Sequence, residues 1–270
     1  MRKVRAAYVD LDEGQVHVRV VDGSGPAILF LHQTASSSLF YSPLLERLAL
    51  PNPLVAIDLP GFGGSFDPSG DPSMAWYAGV IARTADGLGI ERFHLLGHHT
   101  GASLAMELAA TLPDRSLSLM LVGPVFMTGE ERTAFLESHG QPIPLDRDGA
   151  HLKTNWDYAA GYNPGCPLEL IHQEVVAMLR ARIGRGQAYR AVAHHDTAAI
   201  ASAIRAPVLI LTSAEDYFHA ALDRARAALP SADVIEIGGA NFQPALDVAG
   251  TAAAIEAFLA AQMPASGAST

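Results

Sequence analysis

The residues best placed for chemistry lie in Leu96-Gly97-His98-His99-Thr100-Gly101-Ala102. An apolar run with Phe93, Leu95 and Leu96 ends in Gly-x-x-x-Gly, and small residues at helical spacing follow at once. This is the layout of a sharp strand-to-helix turn that lifts its middle side chain above the edge of a sheet. The flanking glycines let the turn close without Cβ clashes. The presented residue of such an elbow is usually a Ser, Cys or Asp nucleophile; here it is His99. An imidazole held there can serve as acid, base or nucleophile near neutral pH.

The elements that must position His99 follow from the pattern. Strands over 4–9 and 15–21 flank Asp12-Glu13-Gly14, a hairpin turn. The continuous apolar run 27–31 is a buried parallel strand ending in His32-Gln33-Thr34. A helix with Leu39, Phe40, Leu44, Leu45 and Leu48 on one side follows, then a strand over 54–57 leading into Asp58-Leu59-Pro60-Gly61-Phe62-Gly63-Gly64-Ser65. A helix over 73–88 precedes the elbow strand, and 117–122 is the next strand. Alternating strands and helices imply an α/β fold, a mostly parallel sheet flanked by helices. From 125 to 205 the rhythm stops. Trp156, Tyr158, Tyr162 and an amphipathic segment over 174–183 read as a helical cap over the sheet's carboxyl edge. Strands over 207–211 and 234–237 and a closing helix over 245–261 complete the core, which comprises 1–124 and 206–270.

Composition narrows the function. A formal net charge of −10 speaks against nucleic-acid binding, where a basic face is required. The apolar runs are far shorter than a membrane span, and Met1-Arg2-Lys3-Val4-Arg5 has no apolar stretch behind it, so no signal peptide is expected. The single Cys166 forbids an internal disulfide, and a cytoplasmic location is the expectation. Gly61-Phe62-Gly63-Gly64 lacks the dinucleotide spacing and opens no helix. His194-His195-Asp196 suggests a ligand cluster, but Asp196 reads as the cap of a helix over 197–200, and adjacent histidines seldom chelate one ion. No metal or cofactor is expected. The expected partner is a small-molecule substrate, met by a monomer or homodimer.

The order of these pieces resembles the α/β-hydrolase superfamily, in its capped branch with epoxide hydrolases, dehalogenases, C–C hydrolases and small esterases. The likeness rests on the strand ending in His32, Asp58-x-Pro60-Gly61-x-Gly63-x-Ser65, the elbow, the strand ending Thr212-Ser213-Ala214-Glu215-Asp216, and Gly238-Gly239-Ala240-Asn241-Phe242. The superfamily's triad runs nucleophile, acid, histidine along the chain. The matching positions are His99, Asp216 and Asn241, so only the acid is kept. An amide such as Asn241 cannot take a proton near neutral pH. By the same resemblance the backbone N–H groups of Thr34 and Thr100 point at a developing oxyanion. Gln33 stands where the family commonly has glycine.

Two readings compete: a scaffold that lost its chemistry, or one that replaced it. Imidazole reaches further from the elbow than a hydroxyl, while Asn241 is shorter than histidine, so packed volume is roughly conserved. That favours replacement, with His99 bonding Asp216 directly. Such a base suits proton abstraction beside a carbonyl, elimination, isomerisation, cyclisation or C–C/C–O cleavage on a small, largely apolar molecule. Hydrolysis by His99-activated water is the enzymatic alternative, and a non-catalytic ligand-binding protein is the other. His98 is expected to pack beneath the turn. His32, at the sheet's active edge, joins His98 and Gln33 as a candidate polar neighbour of the substrate. His94 reads as a satisfied core residue, and His219 as a solvated helix start or a relocated base. Trp76, Phe126, Phe135, Trp156 and Tyr158 offer packing and one or two walls of an apolar slot.

With no serine or cysteine at the elbow, organophosphates and sulfonyl fluorides should leave residues 97–101 unlabelled. Peptide mass spectrometry checks this; an adduct on a nearby serine such as Ser36 would show that the nucleophile has moved.

Overall fold

The computed structural model describes residues 3–161 and 165–262; Met1, Arg2 and Tyr162 lie outside them. The chain enters as a hairpin of β1 (Arg5–Leu11) and β2 (Gly14–Val21), turning at Asp12 and Glu13. It continues through β3 (Ala27–Leu31), α1 (Ser42–Arg47), β4 (Leu54–Ile57), α2 (Met74–Gly87), β5 (Phe93–His98), α3 (Thr100–Thr111) and β6 (Ser116–Val122). Five helices follow before the next strand: α4 (Gly129–His139), α5 (Ala150–Gly161), α6 (Leu168–Arg180), α7 (Arg182–Ala193) and α8 (Thr197–Ala201). The chain then completes β7 (Val208–Thr212), α9 (Leu222–Ala228), β8 (Asp233–Glu236), α10 (Gln243–Leu246) and α11 (Val248–Gln262).

The strands form one sheet in the order β1-β2-β4-β3-β5-β6-β7-β8. The pairings β1–β2 and β2–β4 are antiparallel and the others parallel. β3, β4 and β7 are buried along their whole length, which is why they read as unbroken apolar runs. From β3 the chain first adds β4 on one side and then β5 on the other. Such a reversal opens a crevice at the carboxyl ends of the two central strands. No single helix among the described residues is long and apolar enough to cross a membrane.

Three expectations are corrected. The closing helix is not continuous: α10 and α11 meet at 77° about Asp247. The Asp247 carboxylate accepts the N–H groups of Gly250 and Gly238, each at 2.9 Å, so it starts a new helix and pins the loop after β8. The amphipathic segment expected over 174–183 begins earlier, behind Pro167, and breaks at Ala181. Leu39, expected on a buried face, lies in a single 3-10 turn and is 36% exposed.

Asp58 explains the Asp58-x-Pro60-Gly61 motif. Its carboxylate accepts from Ser38 N–H at 2.6 Å and Gly64 N–H at 2.8 Å, and pairs with His17 Nδ1 at 2.8 Å. Burial alone would raise its pKa, but the bond to His17, the nearby His32 and the two amides outweigh that and hold it at about 2. One side chain thus joins the antiparallel hairpin to the loops after β3 and β4.

The helical insertion rests on the core through polar seams. Arg180 bonds Asp67 at 2.8 Å and the Ser65 carbonyl at 2.9 Å, while the Gln187 amide reaches the Pro68 carbonyl at 3.0 Å. Glu174 of α6 is fully buried, and burial pushes its pKa up to about 7 although Ser36 and Gln173 partly offset the shift. At pH 8 the folded protein therefore carries a buried charge that the unfolded chain would hydrate. Between its ordinary value of 4.5 and about 7 the folded state binds the extra proton, so stability falls as pH rises through that window. Glu174→Gln should stabilise the protein at pH 8 by on the order of 3 kcal/mol, and the gain should shrink toward zero below pH of about 4.5. Denaturant unfolding at both pH values measures it; an equal effect at both would remove Glu174 as the titrating group.

Candidate functional site

The elbow is a strained, crowded turn. His99 adopts φ 46° and ψ −107°, a region costing roughly 1–3 kcal/mol for a residue with a Cβ. Its N–H donates to the Val122 carbonyl at 3.0 Å, and its carbonyl accepts from Ala102 and Ser103 at 2.8 and 3.1 Å. A Cβ at Gly101 would strike the Leu31 carbonyl and one at Gly97 the Gly101 carbonyl, so only glycines let α3 press onto β3 and β5.

His99 Nε2 lies 2.7 Å from Asp216 Oδ2, at the carboxyl end of β7. The Asp216 side chain is fully buried. Its Oδ1 accepts the Phe218 N–H at 2.7 Å, and its Oδ2 also accepts the Gln243 amide at 3.1 Å. A carboxylate facing donors fixes the proton of His99 on Nε2 and leaves Nδ1 as the basic atom. Phe218 packs edge-on to the His99 ring at 5.1 Å.

Gln33, Thr34, Thr100 and Asn241 join His99 around a cavity of about 60 Å³. The insertion supplies its roof with Phe135, Tyr158, Met178 and Tyr189. Among the described residues the Thr34 and Thr100 amides donate no hydrogen bond within the chain, the latter because it opens a helix. Asn241 Oδ1 accepts the Tyr217 N–H at 2.9 Å and so steadies the loop that carries Asp216.

The other histidines separate clearly. His32 does not face the cavity, which corrects its reading as a substrate neighbour. It is fully buried, donates from Nδ1 to the Gln33 carbonyl at 2.8 Å and accepts the Leu59 N–H on Nε2 at 3.0 Å. His98 likewise lies beneath the turn, its ring 4.3 Å from that of His99. Burial, with His99 and His32 nearby, keeps it neutral well below the ordinary histidine range. His94 bonds Ser118 at 2.8 Å inside the sheet. His219 meets Thr212 at 3.1 Å, and His195 meets Glu107 at 3.0 Å. Asp196 caps α8 through Ala199 N–H.

Two residues of the site escaped the sequence reading. Gln243 shares Asp216 with His99, and an amide at the start of a short helix gives no sequence signal for that. Gly123 has φ +53°, and a Cβ there would stand 2.6 Å from His99 Nε2 and 2.9 Å from Asp216 Oδ2. A lone glycine directly after a strand at the sheet's active edge was the available signal.

For a metal, His98, His99 and Asp216 offer ligand atoms within 4.8 Å of one another. Ligands around a tetrahedral ion at ~2.0–2.1 Å sit about 3.3 Å apart. The 2.7 Å His99–Asp216 separation fits a hydrogen bond better.

Residues 28–245 match the alpha/beta hydrolase family. The chain belongs to that family. Members are generally enzymes. Part of the chain is 38% identical over 122 residues to the dihydrolipoyllysine-residue acetyltransferase component of the acetoin cleaving system of Cupriavidus necator, covering 44% of this chain and 33% of that one. It is 36% identical over 135 residues to a fluoroacetate dehalogenase of a Burkholderia species, covering 47% and 44%. The match thus spans less than half the length of these curated relatives. Among solved structures, a proposed epoxide hydrolase of Pseudomonas aeruginosa superposes with a TM-score of 0.80 at 21% identity, covering 96% of each chain. At that identity the hydrolase likeness speaks for the fold alone.

Gly123→Ala tests the crowding at the elbow. It should cost at least about 2 kcal/mol, part left-handed strain and part collision with imidazole. In a His99→Ser background the collision with imidazole is gone, leaving the strain of about 1 kcal/mol and the closer approach to Asp216 Oδ2, so the cost should fall. A double-mutant cycle in urea reads the coupling, and strictly additive losses would show that His99 does not occupy that space.

Proposed function

We propose that this hydrolase-fold protein is an enzyme with an altered triad, in which His99, oriented by Asp216, is the acid/base of a cofactor-free reaction. The observation that carries the reading is the 2.7 Å bond between His99 Nε2 and the buried Asp216 carboxylate, made at the elbow itself. The basic Nδ1 then takes a proton from carbon beside a substrate carbonyl. Asp216 stabilises the imidazolium that results. The Thr34 and Thr100 amides supply hydrogen bonds to the oxygen on which charge develops. The same ring returns the proton at another atom, which accommodates isomerisation, elimination, cyclisation or C–C/C–O cleavage. A small substrate with a carbonyl and a largely apolar body suits a cavity roofed by Phe135, Met178 and two tyrosines.

The dehalogenase among the partial relatives favours a second reading, hydrolysis by water that His99 activates. One experiment separates the two. In D2O, small ketones, 1,3-dicarbonyls and lactones are followed by NMR for exchange at the carbon beside the carbonyl and for ring opening. Exchange by the native protein, reduced ~10²–10⁴-fold by His99→Ala, is expected. Ring opening without exchange, again lost with His99, would select the hydrolytic reading. Indifference of every substrate to His99→Ala would sink both and leave a ligand-binding protein.

A further inference from the structure

A second cavity, of about 150 Å³, lies within the helical insertion, separated from the first by Met178, which lines both. Its polar lining is basic or neutral: Arg185, Arg182, His151 and Asn155. Arg185 is 8% exposed, the only lysine or arginine among the described residues buried to that degree. Its guanidinium donates to Asn155 Oδ1 at 3.0 Å and lies over the Tyr158 ring at 4.5 Å and the Tyr189 ring at 5.7 Å. Every aspartate and glutamate of the chain is among the described residues, and none makes an ion pair with Arg185.

The acids nearest in sequence are already engaged. Asp157 pairs with Lys153 at 2.7 Å, and Asp146 accepts the N–H groups of Asp148 and Ala150. Glu174, on the helix before, accepts from Gln173 on Oε1 alone and makes no ion pair with Arg185. His151 Nδ1 accepts the Asp146 N–H at 3.2 Å, so the proton of the neutral ring sits on Nε2. A buried cation whose described partners are an amide oxygen and two tyrosines has lost hydration without gaining a counter-charge. The cavity beside it supplies the place where that counter-charge fits.

We propose that this cavity is a binding site for a small organic carboxylate with a flat or short apolar body, held by Arg185 and distinct from the pocket at His99. Guanidinium matches a carboxylate with two parallel hydrogen bonds, and Arg182 adds a second positive group. Cavities of ~150 Å³ admit a benzene ring, which sets the size of the body. The leucines at its mouth, Leu145 and Leu152, are 67% and 48% exposed, so the ligand enters from solvent.

Benzoate is the probe, with benzamide as its uncharged match, and binding to the full chain is followed by calorimetry and by the shift in melting temperature. Benzoate should bind saturably and at least tenfold more tightly than benzamide. Arg185→Gln should weaken benzoate at least tenfold and leave benzamide unchanged. Leu152→Trp, at the half-exposed mouth, should block benzoate with Arg185 in place, which keeps the test decisive if Arg185→Gln fails to fold. His99→Ala should bind benzoate as the native protein does. Equal affinity for benzoate and benzamide would overturn the proposal. So would benzoate binding that survives Leu152→Trp and disappears with His99→Ala, since that places the carboxylate at the elbow.

Discussion

Asp216 accepts hydrogen bonds from His99, Gln243 and the Phe218 amide while its side chain is fully withdrawn from water. Removing a carboxylate from water is costly unless its oxygens are matched by donors, and here each oxygen is. The surrounding backbone is arranged to keep those donors in place. The elbow holds His99 in a strained conformation, Asn241 anchors Tyr217 beside the acid, and Asp247 pins the loop from which Gln243 departs. The geometry at the carboxyl edge follows from satisfying one acid.

The roof of the pocket is mechanically tied to its floor. The Tyr189 hydroxyl donates to the Thr34 carbonyl at 3.2 Å, and the Tyr158 hydroxyl lies 3.3 Å from that of Tyr189. Arg185 stacks on the same two rings. The peptide that presents the Thr34 region to the cavity is therefore held by side chains of α5 and α7, not by the sheet alone. His139 belongs to the same cluster: burial, followed by the charge of Arg185, lowers its pKa.

The sheet was legible because its central strands are buried on both faces and leave uninterrupted apolar runs; β3 and β4 match their sequence boundaries, and others shift by one or two residues. The position of His99 was legible from the glycine spacing, which the backbone contacts of Gly97 and Gly101 explain. What stayed hidden depends on contacts between distant segments. Asp247 sits at a helical spacing that reads as an ordinary surface position, yet it breaks the helix by capping. Gln243 is one amide among several until the fold brings it to Asp216. His32 lies at the correct edge of the sheet, but both of its nitrogens are used by neighbouring loops, and nothing in its position forecasts that.

Gly123 ties the elbow and the acid into one packing problem. Its missing side chain is the room in which the imidazole meets Asp216, and a methyl group there stands against that ring. The carboxylate meets the same boundary, 2.9 Å from that position. Positions 99, 123 and 216, remote from one another in the chain, therefore share one small volume. The size permitted at any one of them is set by the other two, so the three behave as a single unit of sequence.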